Sequence, residues 1–174
     1  MAKISNTSAY PNISSLDNAD YLILTDAENQ LKTKTCTIEQ LQVAFGIDTL
    51  IANVVINPAT LQALGTSSKQ LIPAPGAGKV IDIISTMAYL EAGVSQYNFG
   101  AVLSLKQGAY TWGTIANTFV NKAASGSYKY LPQYGHEAPA NTAVVLDTAS
   151  NPGQGDGTLY LNIYYRVLTQ DSSF

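Results

Sequence analysis

Apolar and polar residues alternate with a period of two through most of this chain, and runs with a helical period are few and short. The clearest run is 158–168: Leu159, Leu161, Ile163, Tyr165 and Val167 fall on one face, with Tyr160, Asn162, Tyr164 and Arg166 on the other. The glycine-rich stretch Asn151-Pro-Gly-Gln-Gly-Asp-Gly157 precedes it as a turn. The pattern predicts further strands at 69–74, 79–90, 97–106, 128–134 and 142–147, and one or two short ones around Trp112, Ile115, Phe119 and Val120. The 79–90 run is apolar on both sides, with Val80, Ile84, Ala88 and Leu90 on one face and Ile81, Ile83, Met87 and Tyr89 on the other. A strand greasy on both faces is expected either at the centre of a sandwich or against a second subunit. Ile81, Ile83, Met87 and Tyr89, with Tyr160 and Tyr164, are therefore the candidate oligomer or surface contacts. Asn57-Pro58 followed by Ala-Thr-Leu-Gln-Ala-Leu and Gly65 predicts a short helix capped by Asn, with Pro at its first position. Six to eight strands with no long helix give a mainly β chain, an antiparallel sandwich of jelly-roll type.

The amino-terminal quarter reads differently. Residues 20–26 form a strand with Leu22 and Leu24 on one side and Tyr21, Ile23 and Thr25 on the other; 27–30 turn and 31–37 return. Thr37-Ile-Glu-Gln40 is a capping box that starts a short helix, stopped by Gly46, with Ile38, Leu41 and Phe45 on one side. A hairpin and two helical turns with so few apolar side chains cannot bury a core of their own, so this unit must lean on something else. Its apolar positions Tyr21, Ile23, Ile38, Leu41 and Phe45 are the candidate attachment residues. The polar residues 1–19 are expected as an extended arm. The expected organisation is an arm and attachment module over 1–48, a linker with the short helix over 49–66, and the sandwich over 67–174.

Charged residues make up 12% of the 174 residues, against about 25% in ordinary soluble domains. Ser, Thr, Asn and Gln take their place, a composition suited to a rigid β surface. A net charge of -3 with scattered lysines and arginines argues against nucleic-acid binding. No stretch approaches the ~18 apolar residues of a membrane helix, and Met-Ala-Lys-Ile-Ser lacks a signal core, so a soluble product made in a cytoplasm is expected, with no membrane insertion. Cys36 is the one cysteine; it has no intrachain partner and is expected as a small buried thiol.

Signals for chemistry are sparse. Pro75-Gly-Ala-Gly-Lys79 imitates a phosphate loop, but Pro73 stands where the first glycine belongs and Val80 where the magnesium ligand belongs. A tight turn using glycine at positive φ is the better reading. His136-Glu137 starts like a zinc-protease helix, yet Pro139 follows and there is no second histidine. Asp147, Asp156 and Glu137 are the carboxylates of the β domain, and none is set in a segment suggesting a walled cleft. No catalytic, cofactor-binding or metal-ligating residues are assigned. Tyrosine is enriched, with eleven residues; exposed tyrosines together with Trp112 would suit protein contact or stacking on sugars.

Asp20-Tyr-Leu-Ile-Leu-Thr-Asp26 and Thr33-Lys-Thr-Cys-Thr-Ile-Glu-Gln-Leu41 resemble the amino-terminal attachment modules of tailed-phage head-fibre and tail-fibre proteins. Leu71-Ile-Pro-Ala-Pro-Gly-Ala-Gly-Lys-Val80 and the closing Gly155-Asp-Gly-Thr-Leu-Tyr-Leu-Asn-Ile-Tyr-Tyr-Arg-Val167 are similar to small β domains of phage virion structural proteins. These stretches span about half of the chain. The resemblance implies a non-enzymatic virion protein assembled in a bacterial cytoplasm, a homotrimeric head fibre or capsid decoration. Its arms would bind the major capsid protein or another virion protein. The alternative it implies is a tail- or collar-attached fibre module that binds host surface glycans.

Overall fold

The structure is a computed structural model that describes residues 21–26, 32–38, 41, 49–130 and 138–170. The chain divides into two compact units, Met1–Asp48 and Thr49–Phe174. In the first, strands β1 (Tyr21–Asp26) and β2 (Lys32–Thr37) pair antiparallel, Tyr21 opposite Thr37 and Asp26 opposite Lys32. The arm over 1–19 and most of the expected helix after Thr37 lie outside the described residues.

The second unit is a sandwich of two antiparallel four-stranded sheets. Its strands are β3 (Leu50–Ile56), β4 (Lys69–Ile72), β5 (Lys79–Glu91), β6 (Leu103–Gln107), β7 (Tyr110–Ile115), β8 (Gly126–Tyr130), β9 (Val144–Thr148) and β10 (Thr158–Thr169). One sheet runs β3-β10-β5-β8 and the other β4-β9-β6-β7. Paired strands nest about the middle of the unit: β6 with β7, β5 with β8, β4 with β9, β3 with β10. Nested pairing of this kind is what a jelly roll requires, as though one long hairpin were rolled up. Leu159, Leu161 and Ile163 of β10 join Ile81, Ile83 and Leu90 of β5 and Leu103, Leu105 and Leu146 of the opposite sheet in one buried core. Helix α1 (Pro58–Ala63) adds Leu61 to that core; Asn57 caps it, its side-chain oxygen accepting from the Thr60 amide at 2.9 Å.

Several expectations need correcting. Residues 49–56, expected as linker, supply the edge strand β3, which pairs along β10 from Leu50 opposite Tyr165 to Ile56 opposite Leu159. The segment before Leu103, expected as strand, is irregular. Asn121 and Asn117 explain why: the Asn121 side chain accepts from the Phe99 amide at 2.9 Å, and both asparagine amides donate to the Phe99 carbonyl at 3.0 and 3.2 Å. Those bonds satisfy backbone groups that a sheet ladder would otherwise claim. Phe119 and Val120 are consecutive and both buried, which a half-buried strand cannot arrange; they sit in the one-turn helix α2 (Asn117–Val120). Glycines 76 and 78 carry φ of 103° and 69°, so Pro75-Gly-Ala-Gly-Lys79 is a turn, closed by the Lys79 amide on the Gly76 carbonyl.

The two-sided strand 79–90 has a simple resolution. Ser85 pairs with Tyr164 and Ile83 with Tyr165, so Ile84 is an extra residue on β5, a β-bulge. One added residue reverses the in–out parity. Ile81 and Ile83 point inward before the bulge, and Thr86, Ala88 and Leu90 point inward after it. Ile81 and Ile83 are 0% and 1% exposed in the chain's own core, and so are unavailable to a neighbour.

Candidate interaction face

Register across the β3-β10-β5-β8 sheet fixes what its outer face displays. One row reads Val55, Tyr160, Tyr89 and Ser127; the next reads Asn53, Asn162, Met87 and Lys129; a third begins Ile51, Tyr164 and Ser85. Of the six residues expected at a surface contact, the fold brings Met87, Tyr89, Tyr160 and Tyr164 together here and sends Ile81 and Ile83 inside. Met87 and Tyr89 keep 37% and 44% of their surface exposed, and Val55 and Ile51 of the edge strand keep 59% and 52%; Leu50, 44% exposed, stands opposite Tyr165 on the other face of the sheet. Three exposed aliphatics of β3 escaped the sequence reading. The available signal was a cluster of β-branched residues ending at Asn57-Pro58, which marks a strand as well as a connector.

The rings of Tyr89 and Tyr160 lie 6.0 Å apart, tilted by 41°. The Tyr160 hydroxyl donates to a Glu91 carboxylate oxygen at 2.8 Å. That bond, with partial desolvation and the charge of Glu91, raises the Tyr160 hydroxyl above the ordinary phenol range. Met87, Ala88, Tyr89, Ser127, Tyr160 and Asn162 line a shallow depression of about 200 Å³ in this face. Farther along, Arg166 donates to Asp82 through Nε and Nη2, the latter at 2.6 Å.

The outer face of the second sheet differs in kind. Gln70, Val145, Lys106 and Thr111 form one row, and Asp147, Ser104 and Thr114 another. Lys106 and Asp147 make an ion pair at 2.7 Å on that face. One sheet thus turns aromatic and aliphatic side chains outward, while the other is polar apart from the half-buried Val145.

The remaining candidates lie elsewhere. Tyr21 and Ile23 occupy alternate positions of β1, opposite Thr37 and Thr35; Ile38 and Leu41 are half-buried, and Phe45 lies outside the described residues. Cys36, expected buried, is half-buried in β2. Trp112 is not a sugar platform: it is buried, and its indole N–H donates to Gln107 Oε1 at 2.9 Å, while the Gln107 amide donates to the Thr142 carbonyl at 2.9 Å. Tyr130 is buried and Tyr128 packs on Phe119 at 5.3 Å, so the β8 tyrosines serve the core. Asp156 accepts from the Ser95 amide at 2.8 Å and ties two loops together. His136 and Glu137 lie outside the described residues. Among the described residues no three His, Cys, Asp or Glu side chains converge as metal ligands would, and no helix is long and apolar enough to cross a membrane.

No protein-family model matches the chain, and no curated protein matches it. Among solved structures, it is similar to the cyanophage Pam1 capsid asymmetric unit, at 14% identity over 67% of this chain and 81% of that one, with a TM-score of 0.43.

Proposed function

We propose that this chain is a non-enzymatic structural protein of a tailed-phage virion, a head fibre or capsid decoration. Residues 1–48 attach it to the capsid through the faces that carry Tyr21, Ile23, Ile38, Leu41 and Phe45, and the sandwich projects as part of a homotrimer. The observation that carries this reading is the division into two units, a small one built on a two-stranded hairpin and a larger one enclosing a two-sheet core. Two strands are marginal alone and gain stability by docking. The amino-terminal segments that resemble phage attachment modules coincide with the hairpin, which supports giving it the docking role.

The test is particle incorporation. The full chain, produced with its host phage particles, is expected to co-sediment with them, and residues 49–174 alone are expected to stay in the supernatant. Retention of 49–174 on particles would reject the anchor.

A second reading rests on the tilted Tyr89–Tyr160 pair with Asn162 and Ser127 around one depression, a set able to stack on and hydrogen-bond a sugar. In that case the chain is a tail or collar module binding host surface glycans. Binding of the full chain to a glycan array, abolished in Tyr89→Ala, is its signature.

A further inference from the structure

We infer that the outer face of the β3-β10-β5-β8 sheet is where copies of this chain meet. The inference rests on the homotrimer proposed above and assigns the surface that holds it. Three observations support a second copy as the occupant. The first is the contrast between the two outer faces. Exposed Val55, Ile51, Met87 and Tyr89 share one sheet with Tyr160 and Tyr164, whereas the other sheet shows Gln70, Thr111, Ser104 and the Lys106–Asp147 pair, with Val145 half-buried as its one aliphatic in those rows. Aromatic residues and Met are enriched at the centres of protein interfaces, where charged side chains are depleted.

The second is charge. The ionisable side chains on this face other than tyrosines are Asp82 and Arg166, paired with each other, Glu91, held by the Tyr160 hydroxyl, and Lys129. Two carboxylates and two cations sum to zero. Three copies of this face turned toward a shared three-fold axis therefore meet without the like-charge cost that a strongly charged surface would impose. An acidic or basic partner would find no opposite field to steer it.

The third is size. Four strands spaced ~4.8 Å apart, the two central ones about twelve residues long at ~3.4 Å per residue, make a face on the order of 700 Å². A copy commits about 800 Å² to each partner in a standard protein–protein interface, so this face matches one such contact, and a closed trimer, in which every copy meets two neighbours, draws on the exposed flank of β3 as well. The depression at Met87 and Tyr160 is far smaller than that. The edge strand adds to the case: β3 is Leu-Ile-Ala-Asn-Val-Val-Ile, with neither the lysine nor the proline that commonly guards an open edge.

Light scattering on the full chain tests the assignment. Wild type is expected at about three times 18.5 kDa at micromolar concentration. Met87→Lys, beside Lys129, and Tyr89→Glu, beside Glu91, each place a like charge on the face. Each is expected to weaken association by at least about tenfold while far-UV circular dichroism and Trp112 fluorescence stay unchanged. Ser104→Lys, on the outer face of the other sheet, is expected to remain oligomeric. Two face variants as oligomeric as wild type would overturn the assignment and leave the homotrimer standing. Dissociation of the Ser104→Lys control to the same degree would equally move the contact off this face. A wild type monomeric at every concentration would remove the homotrimer and the interface together. Glycan capture by wild type that Tyr89→Ala abolishes, with mass unaffected by all three charge variants, would hand the face to a sugar instead.

Discussion

Gly113 and Gly126 sit on adjoining edge strands and make opposite predictions. A Cβ on Gly113 would overlap the Tyr130 hydroxyl, which lies buried and donates to the Trp112 carbonyl, linking β8 to β7. Gly113→Ala must expel that ring and break the bond, at a cost of about 3 kcal/mol. Gly126 has nothing within 4 Å of its would-be Cβ, so Gly126→Ala is expected to be neutral or to stabilise by about 0.5 kcal/mol through the unfolded chain. Urea unfolding followed by Trp112 emission separates the two. Tyr97 gives a second residue-level prediction. Its hydroxyl donates to the Gly157 carbonyl at 2.6 Å, and burial, reinforced by the Asp156 carboxylate, pushes its pKa up to about 12. The folded state therefore holds this proton more tightly than the unfolded chain, whose tyrosine titrates near 10. Its contribution is complete below pH ~10 and is lost as pH rises toward about 12. Thermal melts from neutral pH upward should show wild type losing stability more steeply than Tyr97→Phe across that window.

At the scale of elements, β5 depends on a single residue. Ile84 is the bulge that lets Ile81 and Ile83 share a core with Thr86, Ala88 and Leu90. Deleting Ile84 forces one half of the strand to turn its apolar set outward, because side chains alternate with a period of two. The loss is expected to be about 4 kcal/mol or more, seen as a collapse of the cooperative urea transition. Ile84→Thr, which keeps the residue count and alters a side chain 39% exposed, should cost no more than about 1 kcal/mol. The contrast separates the backbone role of this position from its side chain. It also explains why alternation misled at this strand: counting by twos from Val80 assumes an unbroken ladder, and a bulge leaves no mark in composition. Strand β10 has no such interruption within it, and its faces match the sequence pattern, Leu159, Leu161 and Ile163 inward and Tyr160, Asn162 and Tyr164 outward.

For the whole molecule, the core of the second unit is complete within residues 49–174, from Ile56 at the end of β3 to Ile163 in β10. That fragment is expected to unfold in one transition at a midpoint close to that of the sandwich in the full chain, as read by Trp112 fluorescence. A fragment starting at residue 67, the boundary the sequence pattern suggested, would lack β3 and α1 and expose the flank of β10. It is expected to aggregate or to melt well below the longer fragment, since β3 covers seven positions of β10 and Ile56, Leu61 and Leu64 are buried.

The amino-acid sequence by itself determined the fold class, the long closing strand with its two faces, the Asn57-capped helix and the tight Gly76–Gly78 turn. Each of these is local: alternation, a cap or a positive φ is satisfied within a few residues. Only tertiary structure decided that Ile81 and Ile83 belong to the core, that Trp112 is buried against Gln107, that β3 is a strand, and that Tyr89 of β5 stands beside Tyr160 of β10 to build one outward face. Those outcomes depend on register between strands tens of residues apart and on side chains such as Asn121 and Gln107 capturing distant backbone, and no short window of sequence contains both partners.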